Sequence, residues 1–215
     1  MEKKKTTITS LILLTFCVLT IKSYSQTNAI TEFGDNIILY ENGTWEYKDG
    51  NPFKAAITKN SKSYYKPRGS SFLLKSKKTN MGIWLNSKEW EFTNETNNVD
   101  SEYDFNFKNG DLFGSAIVEE TKIPLEMMSE IAIQNMIAVA PDAKVTTQQY
   151  RNVNGLEVLS MTIEATVQGI EFSYYGYYYS NDSGTIQLIT FTSRNLMKKY
   201  KNKAEELLNG ITTYN

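Results

Sequence analysis

After about residue 69 the chain alternates apolar and polar positions with a period of two, and in two places it switches to helical spacing. The alternation predicts strands at about 70 to 76, 82 to 86, 90 to 94, 102 to 108, 112 to 119, 144 to 152, 156 to 167, 170 to 180 and 185 to 192. "NFKNGDLFG" and "NVNGLEV" supply tight turns, so neighbouring strands are hairpin partners and the sheet is mainly antiparallel. The first helix opens at Pro124, carries Leu125, Met128, Ala132, Met136 and Val139 on one stripe, and stops at Pro141. The second is capped by Ser193, carries Leu196, Met197, Tyr200, Ala204, Leu207 and Leu208, and ends at Gly210, expected in the left-handed conformation. Both stripes read as core.

The run "IEFSYYGYYYSNDSGTIQLITF" is resolved by register. Gln168 and Gly169 form a two-residue turn that pairs Val167 with Ile170 and fixes every later pair. One face then carries Ala165 opposite Phe172, Ile163 opposite Tyr174, Met161 opposite Gly176 and Leu159 opposite Tyr178. The other carries Thr166 with Glu171, Glu164 with Ser173, Thr162 with Tyr175 and Ser160 with Tyr177. A four-residue turn from Asn181 to Gly184 continues the ladder, placing Tyr174 against Phe191, Gly176 against Ile189, Tyr175 against Thr190 and Tyr177 against Leu188. On this register Tyr174 and Tyr178 are core, and Gly176 leaves room for a helix to pack closely. Tyr175, Tyr177 and Tyr179 stand on the opposite, more polar face. They either cover that face as ordinary strand residues, since tyrosine pairs well with threonine, or present a flat recognition surface of large rigid rings with polar tips.

The N-terminal region is organised differently. Residues 29 to 48 read as a small β-meander, with strands at about 29 to 33, 37 to 41 and 44 to 48 and turns at Gly34 to Asn36 and Asn42 to Gly43; the meander as a unit is taken as 26 to 48. Residues 49 to 68 are polar and basic, carry Pro52 and Pro67, and read as a linker, with a basic contact for an acidic partner as the alternative. The main domain is expected over 69 to 215. The chain begins with Lys3, Lys4 and Lys5 ahead of an apolar run from Ile8 to Ile21 and then Ser23 and Ser25, the pattern of a secretory signal peptide cleaved after Ser25. The protein is therefore expected to be secreted or periplasmic, with no integral span after cleavage.

Composition narrows the chemistry. Removing residues 1 to 25 takes four lysines and one glutamate from the 23 basic and 24 acidic side chains, leaving a net charge near −4. That balance argues against a nucleic-acid partner. There are no histidines, and the one cysteine, Cys17, lies in the signal. A Ser/His/Asp triad, a Cys/His pair and an imidazole or thiolate zinc site are thereby excluded. Neither a cofactor nor a metal site is expected. Asp100, Glu102 and Asp104 alternate like the start of a calcium loop, but Phe105 occupies the position where the loop needs glycine. Asp104 instead reads as the solvent side of a strand whose Tyr103, Phe105 and Phe107 point inward. Glu164 and Glu171 lie diagonally on the polar hairpin face, about 7 to 8 Å apart by ladder geometry, a spacing at which two carboxylates could act on a glycosidic bond.

The order of "SFLLKSK", "GIWL", "YDFNFKNGDLFGSAIVEE", a helix, a meander ending "GYYYSNDSGTIQLITF" and a closing helix ending "LLNGI" resembles the Mog1/PsbP-like fold. The resemblance implies an α+β domain, a mainly antiparallel sheet layered with helices as an α/β/α sandwich, preceded here by the small meander. It also implies binding or scaffolding rather than catalysis. The reading is a non-catalytic module recognising a protein or envelope component through Tyr175, Tyr177, Tyr179, Glu164 and Glu171, with a carboxylate-dependent enzyme acting on a secreted glycan as the alternative.

Overall fold

The computed structural model describes residues 26–30, 36–41, 45–48, 57–96 and 98–214. The expected signal peptide, residues 31 to 33 of the expected first meander strand, Gly34 and Asp35 of its first turn, the Asn42–Gly43 turn with residue 44, and residues 49 to 56 of the expected linker lie outside the described residues. The chain divides after Pro52 into two units. In the first, β1 (Gln26–Ile30), β2 (Asn36–Tyr40) and β3 (Trp45–Tyr47) form an antiparallel sheet in sequential order. Trp45 meets Tyr47 edge-on with ring centroids 5.1 Å apart, and the Tyr40 hydroxyl donates to Glu46.

The second unit is built on an eight-stranded sheet. Its spatial order is β4 (Thr58–Tyr64), β10 (Lys144–Val153), β11 (Leu156–Val167), β12 (Ile170–Asn181), β13 (Gly184–Ser193), β9 (Phe113–Glu119), β8 (Ser101–Phe107) and β7 (Trp90–Thr93). Every pairing is antiparallel except that of β4 with β10. A second, three-stranded sheet runs β14 (Ile211–Thr213), β6 (Met81–Leu85), β5 (Phe72–Lys75). Helices α1 (Leu125–Val139) and α2 (Arg194–Leu208) complete the unit. This is the α+β architecture expected, with helices on both faces of a mainly antiparallel sheet.

The ladder through β11, β12 and β13 has the expected register, from Val167 opposite Ile170 to Ser180 opposite Thr185. Gln168 at φ 51° and Gly169 at φ 80° make the tight turn that sets it. The next turn is shorter than expected, because Asn181 itself pairs with Gly184. In β8 the alternation holds: Tyr103, Phe105 and Phe107 are buried, and Asp104 and Asn106 lie on the other side.

Three expectations are corrected. Within the stretch read as linker, Thr58–Tyr64 is an edge strand parallel to β10, and Tyr64 lies against the main core. Gly210 does not take a left-handed conformation; a Cβ there would lie 2.2 Å from the Trp84 carbonyl oxygen, so the residue is small because β6 passes against its backbone, and the Trp84 N–H donates to the Gly210 carbonyl at 2.8 Å. The room at Gly176 is filled from within the sheet, by Ile189 and the Tyr178 ring, rather than by a helix.

The core lies on both faces. One side packs Tyr103, Phe105, Ala116, Val118, Tyr175, Tyr177, Ile186 and Leu188 of the sheet against Tyr200, Ala204, Leu207 and Leu208 of α2 and against Met81, Ile83, Leu85 and Ile211 of the small sheet. The other packs Leu159, Met161, Ile163, Ala165 and Tyr178 against Met128, Ala132 and Ile133 of α1.

Candidate functional site

Tyr175 and Tyr177, expected on an open polar face, are buried at 5% and 0% exposure. That face is the larger core, and its hydroxyls are consumed internally. Arg151 of β10 donates from Nη1 to the Tyr175 and Tyr177 hydroxyls at 2.7 and 2.8 Å and to Glu205 of α2 at 3.3 Å. Tyr175 donates onward to Glu205 at 2.9 Å and Tyr177 to Asn209 at 3.2 Å, while the guanidinium lies over the Tyr64 ring. Burial pushes both phenols above their ordinary pKa; Arg151 pulls in the opposite direction without cancelling it. Tyr179 is half-buried beside the same core. Tyr175 and Tyr177 are therefore core residues rather than part of an open face.

Glu164 and Glu171 are brought together, through Arg194 at the start of α2. Arg194 Nε reaches Glu164 at 3.3 Å and Nη1 reaches Glu171 at 2.9 Å, so the pair fastens the helix to the β11–β12 hairpin. Of the alternating acids on β8, Glu102 turns inward, accepting from Ser76 Oγ at 2.7 Å and Lys77 N–H at 2.5 Å, apart from Asp104. Among the described residues no three potential metal ligands cluster.

The exposed functional candidate lies on the opposite face, and it follows from the width of the sheet. Eight strands at about 4.8 Å spacing span roughly 34 Å, whereas a single helix is about 10 Å across. α1 lies over β11 and β12, anchored by Ser129, which donates to Gln148 at 2.7 Å, and by Tyr150, which donates to Glu126 at 2.6 Å. Among the described residues, no helix lies above the half of that face made by β13, β9, β8 and β7. That half forms the floor of a groove of about 980 Å³, with α1 as one wall.

Register puts the floor residues in rows. One runs Glu91, Asn106, Phe113, Phe191, Tyr174 from β7 to β12; the next runs Thr93, Asp104, Ser115, Ile189, Gly176. Phe113 stacks on Phe191 at 5.7 Å between centroids, and Phe191 meets Tyr174 at 5.8 Å. Met136 and Val139 supply the apolar part of the α1 wall. Phe113 is 39% and Val139 68% exposed. The polar rim is acidic: Glu91, Glu95, Asp100, Asp104 and Glu119 line the groove, and no lysine or arginine does so among the described residues. The sequence carried a signal for this site, since β9 and β13 have apolar residues on both faces while the described residues place one helix on the α1 side.

No protein-family model matches the chain, and no curated protein is detectably similar to it in sequence. Solved structures are similar in fold. The cyanobacterial PsbP protein CyanoP from Synechocystis sp. PCC 6803 aligns with a TM-score of 0.52 at 12% identity, over 69% of this chain and 95% of its own. LpqN, involved in cell envelope biogenesis of Mycobacterium tuberculosis, aligns at 0.45 and 9% identity over 62% of this chain and 83% of its own. PA94 of Pseudomonas aeruginosa, a protein of unknown function, aligns at 0.43 and 7% identity over 67% of this chain and 97% of its own. The chain has a PsbP-like fold. Among the described residues no helix is long and apolar enough to cross a membrane.

Proposed function

We propose that this chain is a non-catalytic binding module, exported to the periplasm or beyond with its signal peptide cleaved after Ser25, and that it holds an apolar surface of a protein partner in the groove beside α1. The observation that carries this reading is the contiguous patch of Phe113, Phe191, Tyr174 and Ile189 on the groove floor, with Phe113 exposed and the other three partly buried, on the face opposite the larger core. Apolar surface left in one contiguous concave patch, rather than scattered, marks an interaction site. The glycan-hydrolysing alternative has no observation in its favour, because Glu164 and Glu171 are both engaged by Arg194 at the α2 side.

A photoreactive amino acid placed at Phe113 in the native host should crosslink to a protein partner on illumination. The same residue at the exposed Lys201 of α2 should not. Equal crosslinking from both positions, or none from Phe113, would refute the groove as the binding site.

A further inference from the structure

We infer that the element received by the groove is an amphipathic α-helix of a partner protein, with lysine or arginine along the flank that faces β7 and β8. This rests on the reading of the groove as the binding site and adds the chemistry of what enters it. The first argument is backbone satisfaction. The floor is the face of paired strands, β13 to β9, β9 to β8 and β8 to β7, so its own N–H and C=O groups are already engaged within the sheet. An extended peptide laid across Phe113, Ile189 and Phe191 would find no ladder to join and would bury unpaired backbone groups against side chains. A helix brings its hydrogen bonds with it.

The second argument is size. Five strands from β12 to β7 give a floor about 19 Å wide, and the four-residue step from Gln187 to Phe191 gives about 13 Å along the strands. A helix about 10 Å in diameter fits that space beside α1, presenting two to three turns. It would do for the outer half of the sheet what α1 does for the inner half.

The third argument is charge, and it is one-sided. Glu91, Glu95 and Asp100 sit on the β7–β8 rim and Glu119 at the end of β9, while the α1 wall offers Ala132, Asn135, Met136, Ala138 and Val139, all uncharged. Lys108 approaches Glu91 only at 3.9 Å, from outside the groove lining. Since the whole chain carries a formal charge of only −1, this concentration of acid is local. A partner helix with apolar residues at i, i+3, i+4 and i+7 and cations on one flank complements both features.

The test uses the purified mature chain, residues 26 to 215, and two labelled 14-residue peptides. Both have leucine on the inner face; one carries lysine and the other glutamate at the flanking positions. Fluorescence anisotropy in low salt should show the lysine peptide binding at least tenfold more tightly, with the difference shrinking at about 0.5 M salt, where the screening length falls to a few ångströms. Glu91→Lys combined with Glu119→Lys should reverse the preference, and Phe113→Asp should weaken both peptides at least tenfold. Equal binding of the two peptides, or a preference that survives the charge reversal, would overturn the cationic helix while Phe113 dependence keeps the groove. Lysine-peptide binding unaffected by Phe113→Asp would place the peptide elsewhere and defeat the groove reading itself. A concentration-dependent dimer that Phe113→Asp returns to monomer would assign the groove to a second copy of the chain and overturn the proposal.

Discussion

Arg151 of β10 and Glu205 of α2 are 3.3 Å apart, and each also hydrogen-bonds the Tyr175 hydroxyl between them. The guanidinium side chain is 9% exposed and the carboxylate 25%, so the pair is largely withdrawn from water. Removing one member leaves the other without its counter-charge in a dry site. Arg151→Ala is expected to cost about 3 to 5 kcal/mol, read as a lowered midpoint of urea unfolding. Arg151→Met combined with Glu205→Leu and Tyr175→Phe should recover much of that loss, since a fully apolar replacement strands no charge. If the triple variant is no more stable than Arg151→Ala alone, the cluster is not held by charge pairing.

The two tyrosine faces should separate by stability in the opposite sense from that expected of an open recognition face. Tyr177 is fully buried and Tyr174 only half-buried at the groove floor. Tyr177→Ala should destabilise by about 3 to 5 kcal/mol, the scale for deleting a buried aromatic ring. Tyr174→Ala should cost clearly less. Tyr177→Phe isolates the hydroxyl and should cost about 1 to 3 kcal/mol, because Arg151 and Asn209 lose its hydrogen bonds. Thermal or urea unfolding of the three variants decides the order.

Gly210→Ala provides a test of the junction between α2 and the small sheet. With its Cβ 2.2 Å from the Trp84 carbonyl oxygen, β6 or the helix end has to move, at a cost of about 1 to 3 kcal/mol or more. Gly169→Ala, by contrast, meets nothing within 4 Å and strains only its φ of +80°. Protection of the Trp84 amide against hydrogen exchange should fall in the first variant and stay unchanged in the second.

Stability should be flat between about pH 5 and pH 9, because no histidine titrates in that window. On the acid side, the Thr166 hydroxyl and N–H hold Asp142 below the usual carboxylate range, and a hydrogen bond from Lys122, with its charge, does the same for Asp182. Their folded pKa values are depressed, so their contribution is complete above about pH 4 and disappears as the pH falls through the folded values. On the alkaline side, Tyr175, Tyr177 and Tyr178 are raised by burial. A raised acid stabilises the fold below its unfolded value, near 10, and loses that contribution as the pH climbs beyond it. A melting-temperature step centred between pH 6 and 7 would contradict this account.

Much of the fold was written in local pattern. The Gln168–Gly169 turn pinned one hairpin, and strict alternation carried the register across Tyr174, Gly176 and Tyr178 to β13. Thr58–Tyr64 carries no local strand signal, because TKNSKSY has no apolar alternation; it becomes a strand only by meeting β10, far along the chain. The tyrosine face was misjudged for a related reason. Hydroxyls on a strand usually mean solvent, but here Arg151 of β10, and Glu205 and Asn209 at the end of α2, satisfy them beneath the helix. The stripe of Tyr200, Ala204, Leu207 and Leu208 already required a face to bury against, and a sheet with helices on both sides left no open face for the tyrosines. The groove needs five strands and a helix from distant stretches, so Phe113 and Ile189 could be recognised as apolar without revealing that, among the described residues, no helix covers them.

The strand order also sets a sequence of events in folding. β10 to β13 form a continuous meander of neighbours in the chain, and its tight hairpins can close in microseconds. β9 has to wait, because its partner β13 lies about 65 residues further on, and closing so long a loop slows the step. Until Gly184–Ser193 has docked, β9 holds an unpaired edge and the apolar face of Tyr103, Phe105, Ala116 and Val118 lacks its neighbours on β13. The seam between β9 and β13 joins an early-made half of the domain to a late-made one, and Phe113 and Phe191 meet across it. The groove floor is complete only once that seam has closed, so a chain in which it is open can carry much of its secondary structure and still lack the floor.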